Sequence, residues 1–212
     1  MIKTNKLQNT NKLQQYKNDI MEIGIDEAGR GPLIGRVYAG AVIWPENLES
    51  SLINDSKKLT SKKRTIALDW IKQNITLWGV GYADEKEIDQ INILNATKLA
   101  MDRAIIDLKS KTTNNNISNL LIDGSGWENK FKEYKVESIV KGDSKYYSIA
   151  AASIVAKEYH DLHIREMVAN DITLDTKYSL LSNMGYPTKK HIDGLKKYSF
   201  SIFHRKSFNG VV

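Results

Sequence analysis

Three short apolar runs in this 212-residue chain each run into an acid: "MEIGID" at 21–26, "NLLIDG" at 119–124 and "VESIVKGD" at 136–143. In the first, Ile23 and Ile25 fall on alternate positions, the period of a half-buried strand. Helical periods lie between and after these runs, so strands and helices alternate. In open α/β sheets, ligands bind beyond the strand ends. Carboxylates at several such ends bring like charges into one crevice, where they repel and lose hydration. The fold must therefore keep these acids apart or bring something positive to them.

The remaining elements follow from the same periods. "VYAGAVIW" (37–44) reads as a buried strand that Pro45 ends, and "TLWGVGYA" (76–83) as a third strand. Between them, "SKKRTIALDWIKQ" places Ile66, Ala67, Trp70 and Ile71 on one helical face. "DEKE" at 84–87 has the Asp-x-x-Glu form of a helix start. The helix after it turns Leu94, Met101, Ile105 and Leu108 inward. A long helix is expected over about 144–169, with Ile149, Ala152, Ala156 and Tyr159 as its apolar stripe. Beyond Asn170 the pattern predicts loop, a helix near 188–197 and a polar tail. The expected fold is α/β, a mixed β-sheet flanked by helices with a C-terminal helical region. Its divisions are a polar extension over 1–20, a core over 21–170 and the C-terminal region over 171–212.

Net charge is +6, and its distribution says more than its size. Tyr186–Lys206 carries six Lys/Arg and one acid; Asp55–Arg64 carries five and one. Basic proteins often meet nucleic acid, although a mild excess also serves solubility; here two basic clusters surround acids expected to be buried, a contrast that carries information. The chain has no cysteine, which excludes disulfides and thiolate metal sites. No apolar run approaches the ~20 residues that span a bilayer. The N-terminus lacks an apolar signal core. A cytoplasmic or otherwise intracellular protein without a membrane partner, acting as a monomer, is the expectation.

Taken singly, each acid has an ordinary structural use. Asp143 can cap the following helix, Asp123 can serve the turn at Gly124, and Asp26 and Glu27 can flank a turn. Taken together at strand ends, they equally suit a hard divalent cation, which takes carboxylate oxygens, water and phosphate. After Glu27, Gly29 and Gly31 strip side chains from both sides of Arg30, so the backbone can approach a ligand closely. The spacing is not Gly-x-Gly-x-x-Gly and precedes a strand, which disfavours dinucleotide binding.

"GIDEAGRGPLIG" from Gly24, "DSKKL" at 55–59, "INILNATKLAM" at 91–101, "LIDG" at 121–124, "VKGDSKYYSIAAASIVAK" at 141–157, "GYPTKKH" at 185–191 and "HRKSF" at 204–208 together resemble ribonuclease HII. They occur in that family's order over roughly residues 22–208. Arg30 between the glycines fits this type rather than ribonuclease HIII, which usually has lysine there. The resemblance implies an RNase H-like fold. It also implies a metal-dependent endonuclease that cuts the RNA strand of RNA–DNA hybrids, and duplex DNA 5′ of embedded ribonucleotides, leaving 5′-phosphate and 3′-hydroxyl ends. It assigns metal binding and catalysis to Asp26, Glu27, Asp123 and Asp143, ribose reading to Gly29, Arg30 and Gly31, and the RNA–DNA junction to Tyr186. The family usually carries His-Lys before Gly-Tyr; here Asn183 and Met184 stand there.

The physical chemistry fits that assignment. Two ions roughly 3.5–4 Å apart can serve the attacking and leaving oxygens of a phosphodiester. An all-carboxylate site favours Mg²⁺ or Mn²⁺ over Zn²⁺, and two ions are expected during catalysis. Lys57, Lys58, Lys189 and Lys190 are candidates for phosphate contact, or else form a solvated face. Two rival classes share part of the pattern: a strand-transfer or resolvase-type nuclease, which needs no ribose-reading loop, and a non-catalytic nucleic-acid-binding module, which needs no acids.

Overall fold

The computed structural model describes residues 13–16, 21–114 and 117–211. Five strands form one sheet: β1 (Glu22–Ala28), β2 (Val37–Val42), β3 (Trp78–Ala83), β4 (Asn119–Asp123) and β5 (Lys135–Ile139). Their order is β3-β2-β1-β4-β5. β1 pairs antiparallel with β2 and parallel with β4. The antiparallel arm continues to β3 and the parallel arm to β5. In the parallel pair Ile25 lies opposite Ile122. The next residue on each strand is an acid, so this register alone places Asp26 beside Asp123.

The sheet is covered on both faces. Ile23, Ile25, Ala39, Ala41, Leu120 and Ile122 join a core with Ala100, Met101, Ala104 and Leu108 of α2 (Glu85–Lys109). Asp84 and Glu87 form the reciprocal cap that "DEKE" predicts. On the opposite face α3 (Tyr147–Asn170) lies across β1 and β2. Its approach depends on two glycines. A Cβ at Gly24 would fall 2.4 Å from the Ser148 carbonyl carbon, and one at Gly40 would fall 2.3 Å from the Ala152 oxygen. Strand alternation sends Gly24 and Asp26 to this same face. α1 (Ser61–Asn74) packs outside α3.

The C-terminal region contributes three helices: α4 (Thr173–Tyr178), α5 (Leu180–Asn183) and α6 (Lys189–Tyr198). They share a core with Leu33, Ile34, Ile164 and Met167. The region therefore rests on the segment leaving β1 and on the end of α3. Among the described residues, no helix is long and apolar enough to cross a membrane.

Several expectations need correction. The buried face of α1 is Arg64, Ala67, Leu68 and Ile71, while Ile66 is 46% exposed. Arg64 completes an i, i+3, i+4, i+7 stripe that a hydrophobic pattern cannot register. Leu94 is exposed because Asn92, with φ 66°, breaks the helical phase of α2. Asp143 ends no strand; it lies in a 3₁₀ turn, Gly142–Ser144, beyond β5. Residues 173–183, expected as loop, form α4 and α5. Of the N-terminal extension, 1–12 and 17–20 lie outside the described residues. Leu13 is buried, and Gln14 bonds the backbone of Lys145 and Tyr147.

Candidate active site

One carboxylate oxygen from each of Asp26, Asp123 and Asp143 lies within 4.8 Å of the others. Parallel pairing places the first two. The third is drawn in by a hydrogen bond, in which the Gly142 N–H donates to Asp123 Oδ1 at 2.7 Å. This bond fastens the 3₁₀ turn to the end of β4.

The electrostatics suit a cation-binding site. Burial pushes the Asp26 carboxyl well above its ordinary range, and Glu27 and Asp123 push it further. Ser153 and the Glu27 N–H, 2.7 Å from Asp26 Oδ1, oppose this. Asp143 is also raised, by burial and then by Asp123, against Lys57. Lys57 Nζ lies 3.3 Å from Asp143 Oδ2 but its side chain is 77% exposed. One solvated ammonium does not balance three converging carboxylates. Oxygen donors without thiolate or imidazole suit Mg²⁺ or Mn²⁺.

Glu27 borders the same cleft but turns toward Arg30, whose Nη1 is 3.1 Å from Glu27 Oε1. Burial raises its carboxyl, and Arg30 works against that rise. The tight group therefore comprises three of the four expected acids, with the fourth held at its edge.

The glycine stretch and Tyr186 face each other across this cleft. Gly29 has φ +90°, and a Cβ there would lie 2.4 Å from His160 Cδ2, so glycine is required twice over. A Cβ at Gly31 would lie 3.3 Å from the Tyr186 ring. Asn183 explains how the turn before Tyr186 forms without His-Lys. Its Nδ2 donates to Tyr178 O at 2.7 Å, and its Oδ1 accepts from Gly185 N–H at 2.8 Å.

The basic residues separate into groups. Lys57 joins the acids. Lys58, 3.8 Å from Asp55, and Lys189, 3.0 Å from Asp193, are exposed, as is Lys190. These three are not among the cleft-lining residues. Arg64 and Arg205, counted with the basic clusters from sequence, are buried. Lys157 was not singled out from sequence, yet it lines the cleft, and its Nζ sits 5.6 Å from the Tyr186 ring centroid. It lies one helical turn beyond Ser153 on α3, and nothing in its spacing from the predicted site residues marks it.

A family model described as Ribonuclease HII matches residues 23–211. A ribonuclease HII from Phocaeicola vulgatus is 44% identical over 200 residues, covering 93% of each chain. The fold is similar to the crystal structure of ribonuclease H2 from Pyrococcus horikoshii OT3, with a TM-score of 0.70 and 26% identity over 91% of this chain and 95% of that one. It is also similar to Bst-RNase HIII in complex with Mn²⁺, with a TM-score of 0.65 over 92% of this chain and 68% of that one; at 15% identity this is a likeness of fold. The mixed sheet flanked by helices is thus an RNase H-like fold. With three acids gathered beside its central parallel strands and a family match spanning nearly the whole chain, this protein belongs to the ribonuclease HII family and is a type 2 ribonuclease H, a hydrolytic endonuclease.

Proposed function

We propose that the chain hydrolyses the RNA strand of RNA–DNA hybrids and also cuts duplex DNA 5′ of an embedded ribonucleotide. The products carry a 3′-hydroxyl and a 5′-phosphate. One observation carries this reading: three converging carboxylates share a cleft with a bare glycine backbone and an aromatic ring. Acids alone suit many nucleases; the glycine–tyrosine wall is the part a 2′-hydroxyl reader needs.

Asp26, Asp123 and Asp143 would hold Mg²⁺ or Mn²⁺, two ions during catalysis, with Glu27 completing the set from the edge. Such ions stabilise charge on the attacking and leaving oxygens of the phosphodiester. The protein's own groups do the rest. Backbone polar groups of Gly29, Arg30 and Gly31 meet the 2′-hydroxyl, so a deoxyribose leaves them unpaired at a cost. The Tyr186 ring packs on the neighbouring sugar. Lys57, Lys58, Lys189 and Lys190 contact phosphates, which orients the duplex without identifying the sugar. The C-terminal region, 171–212, forms the substrate-contacting part of a monomeric enzyme.

The test is cleavage of matched duplexes carrying no ribonucleotide, one, or a continuous RNA strand, each with Mg²⁺, Mn²⁺ or a chelator. The expected result is metal-dependent cutting of the last two only. Cutting of all-DNA duplex supports the strand-transfer or resolvase class. Binding without cutting supports the non-catalytic module.

A further inference from the structure

We propose that His204 and Arg205, adjacent in sequence, are positioning residues that fix both walls of the ribose-reading cleft. Arg205 shapes the Gly29–Gly31 loop, and His204 acts through His191 on the backbone of Tyr186. The proposal rests on the reading that these two walls meet the ribonucleotide.

Arg205 is 0% exposed. Its guanidinium is spent on the carbonyls of one loop. Nη2 donates to Gly29 O at 2.7 Å, Nη1 to Pro32 O at 2.8 Å and Arg30 O at 3.2 Å, and Nε to Gly35 O at 2.8 Å. Among the described residues no carboxylate pairs with it. A buried cation without a counter-ion is costly unless its donors are met, and here four carbonyls meet them. Burial lowers its pKa to about 9, which leaves it charged at neutral pH. In a trans peptide the carbonyl and the next N–H point opposite ways. Drawing the Gly29 and Arg30 carbonyls to the guanidinium therefore turns the N–H groups of Arg30 and Gly31 away from it. Lysine, with three donors on one atom, cannot span these carbonyls as a planar fork does.

His204 begins a chain of bonds to the other wall. The Ser201 N–H donates to His204 Nδ1 at 2.9 Å, so that nitrogen carries no proton. The His204 proton is on Nε2, 3.0 Å from His191 Nε2, which accepts it. The His191 proton is then on Nδ1, donating to Tyr186 O at 3.1 Å. Both imidazoles are buried. Two adjacent residues thus set the separation of a loop and a ring so close that a Cβ added at Gly31 would lie 3.3 Å from the Tyr186 ring.

The test compares wild type with Arg205→Lys, His191→Asn and His191→Phe. Hydrogen exchange over 29–35 and 184–188 is read against β1 and β2, together with kcat and KM on the single-ribonucleotide duplex. Arg205→Lys should speed exchange over 29–35 about tenfold or more while the strands keep their protection. Its kcat should fall about a hundredfold at near-wild-type KM, the effect of a misplaced reacting group. Asparagine can still donate to Tyr186 O and phenylalanine cannot. His191→Phe should therefore lose about tenfold more kcat than His191→Asn, the scale of one buried hydrogen bond. Wild-type exchange over 29–35 in Arg205→Lys overturns the proposal, as does wild-type kcat with a loosened loop. If Arg205→Lys does not fold, the His191 pair decides, and equal losses overturn it. A wild type that cuts no ribonucleotide-bearing duplex instead overturns the proposed function, and the exchange comparison then decides the positioning claim alone.

Discussion

Arg64 Nη2 lies 3.0 Å from Asp161 Oδ2, and this buried pair locks α1 onto α3 beside the cleft. Arg64 Nε also reaches Glu158 Oε1 at 2.9 Å, while Lys157 Nζ reaches Asp161 Oδ1 at 2.8 Å. Removing one partner leaves buried charge uncompensated. Arg64→Met should therefore cost about 3–5 kcal/mol, read as a lowered urea midpoint. A loss below about 1 kcal/mol, the worth of a surface pair, would show that the remaining partners, Lys157 and His160 on Asp161 and Thr65 on Glu158, satisfy the acids.

Asp123→Asn should abolish cleavage yet keep duplex affinity. The amide oxygen can still accept the Gly142 N–H, and one negative charge leaves a crowded group. The metal-free melting temperature should accordingly hold or rise. Mg²⁺ should stabilise wild type by about 2.7 kcal/mol at a hundred times its Kd, and the variant by much less. Equal stabilisation of both proteins would remove Asp123 from the ligands.

Tyr186→Ala should reduce cleavage at an isolated ribonucleotide more than on a continuous hybrid, because only the former depends on one sugar junction. Both rates are measured for both proteins at one salt concentration. An equal loss would make Tyr186 a general packing contact.

Lys189 and Lys190 open α6 at its N-terminus, where the helix dipole disfavours cations. On the proposed function, a phosphate at this helix end would offset that cost. Replacing both by Ala should reduce the slope of log K against log salt by about 1.8, at about 0.9 per phosphate released. All-DNA and hybrid duplexes should weaken alike. Loss on the hybrid alone would mean that these lysines read sugar.

Burial, then the neighbouring His191, holds His204 down to about 3 from its ordinary 6.5. Between those values the unfolded chain binds a proton there that the folded protein refuses. His204 therefore costs stability progressively as pH falls from about 6.5 toward 3. Imidazole nitrogen shifts at pH 5 should show His204 neutral and protonated on Nε2. A charged His204 at that pH would break the assigned tautomers.

The sheet was legible because β1, β2, β3 and β4 each carry a clear apolar run, and three of the four acids, Asp26, Glu27 and Asp123, lie directly on β1 and β4. The strand-end reading of Asp143 failed because the "KGD" after β5 leaves the strand for a tight turn, with Lys141 at φ 57°. The distant bond from Gly142 to Asp123 returns that acid to the site. Arg64 and Arg205 were the deeper misreadings. A buried arginine looks like surface charge until its partners, four carbonyls in one case and two carboxylates in the other, are brought to it by the fold. Ile66 and Leu94 show the converse limit, since hydrophobicity does not reveal which side of a helix meets its neighbour.

The closure of Arg205 on Gly29 joins positions 176 residues apart. During synthesis the loop after β1 leaves the ribosome well before the guanidinium that gathers its carbonyls. Asp26, Glu27, Asp123 and Asp143 all emerge before it. A nascent chain short of residue 205 thus carries every acid of the cleft but not the brace on its glycine wall. On the proposed function, the order of translation places the capacity to discriminate sugars after the capacity to attract metal.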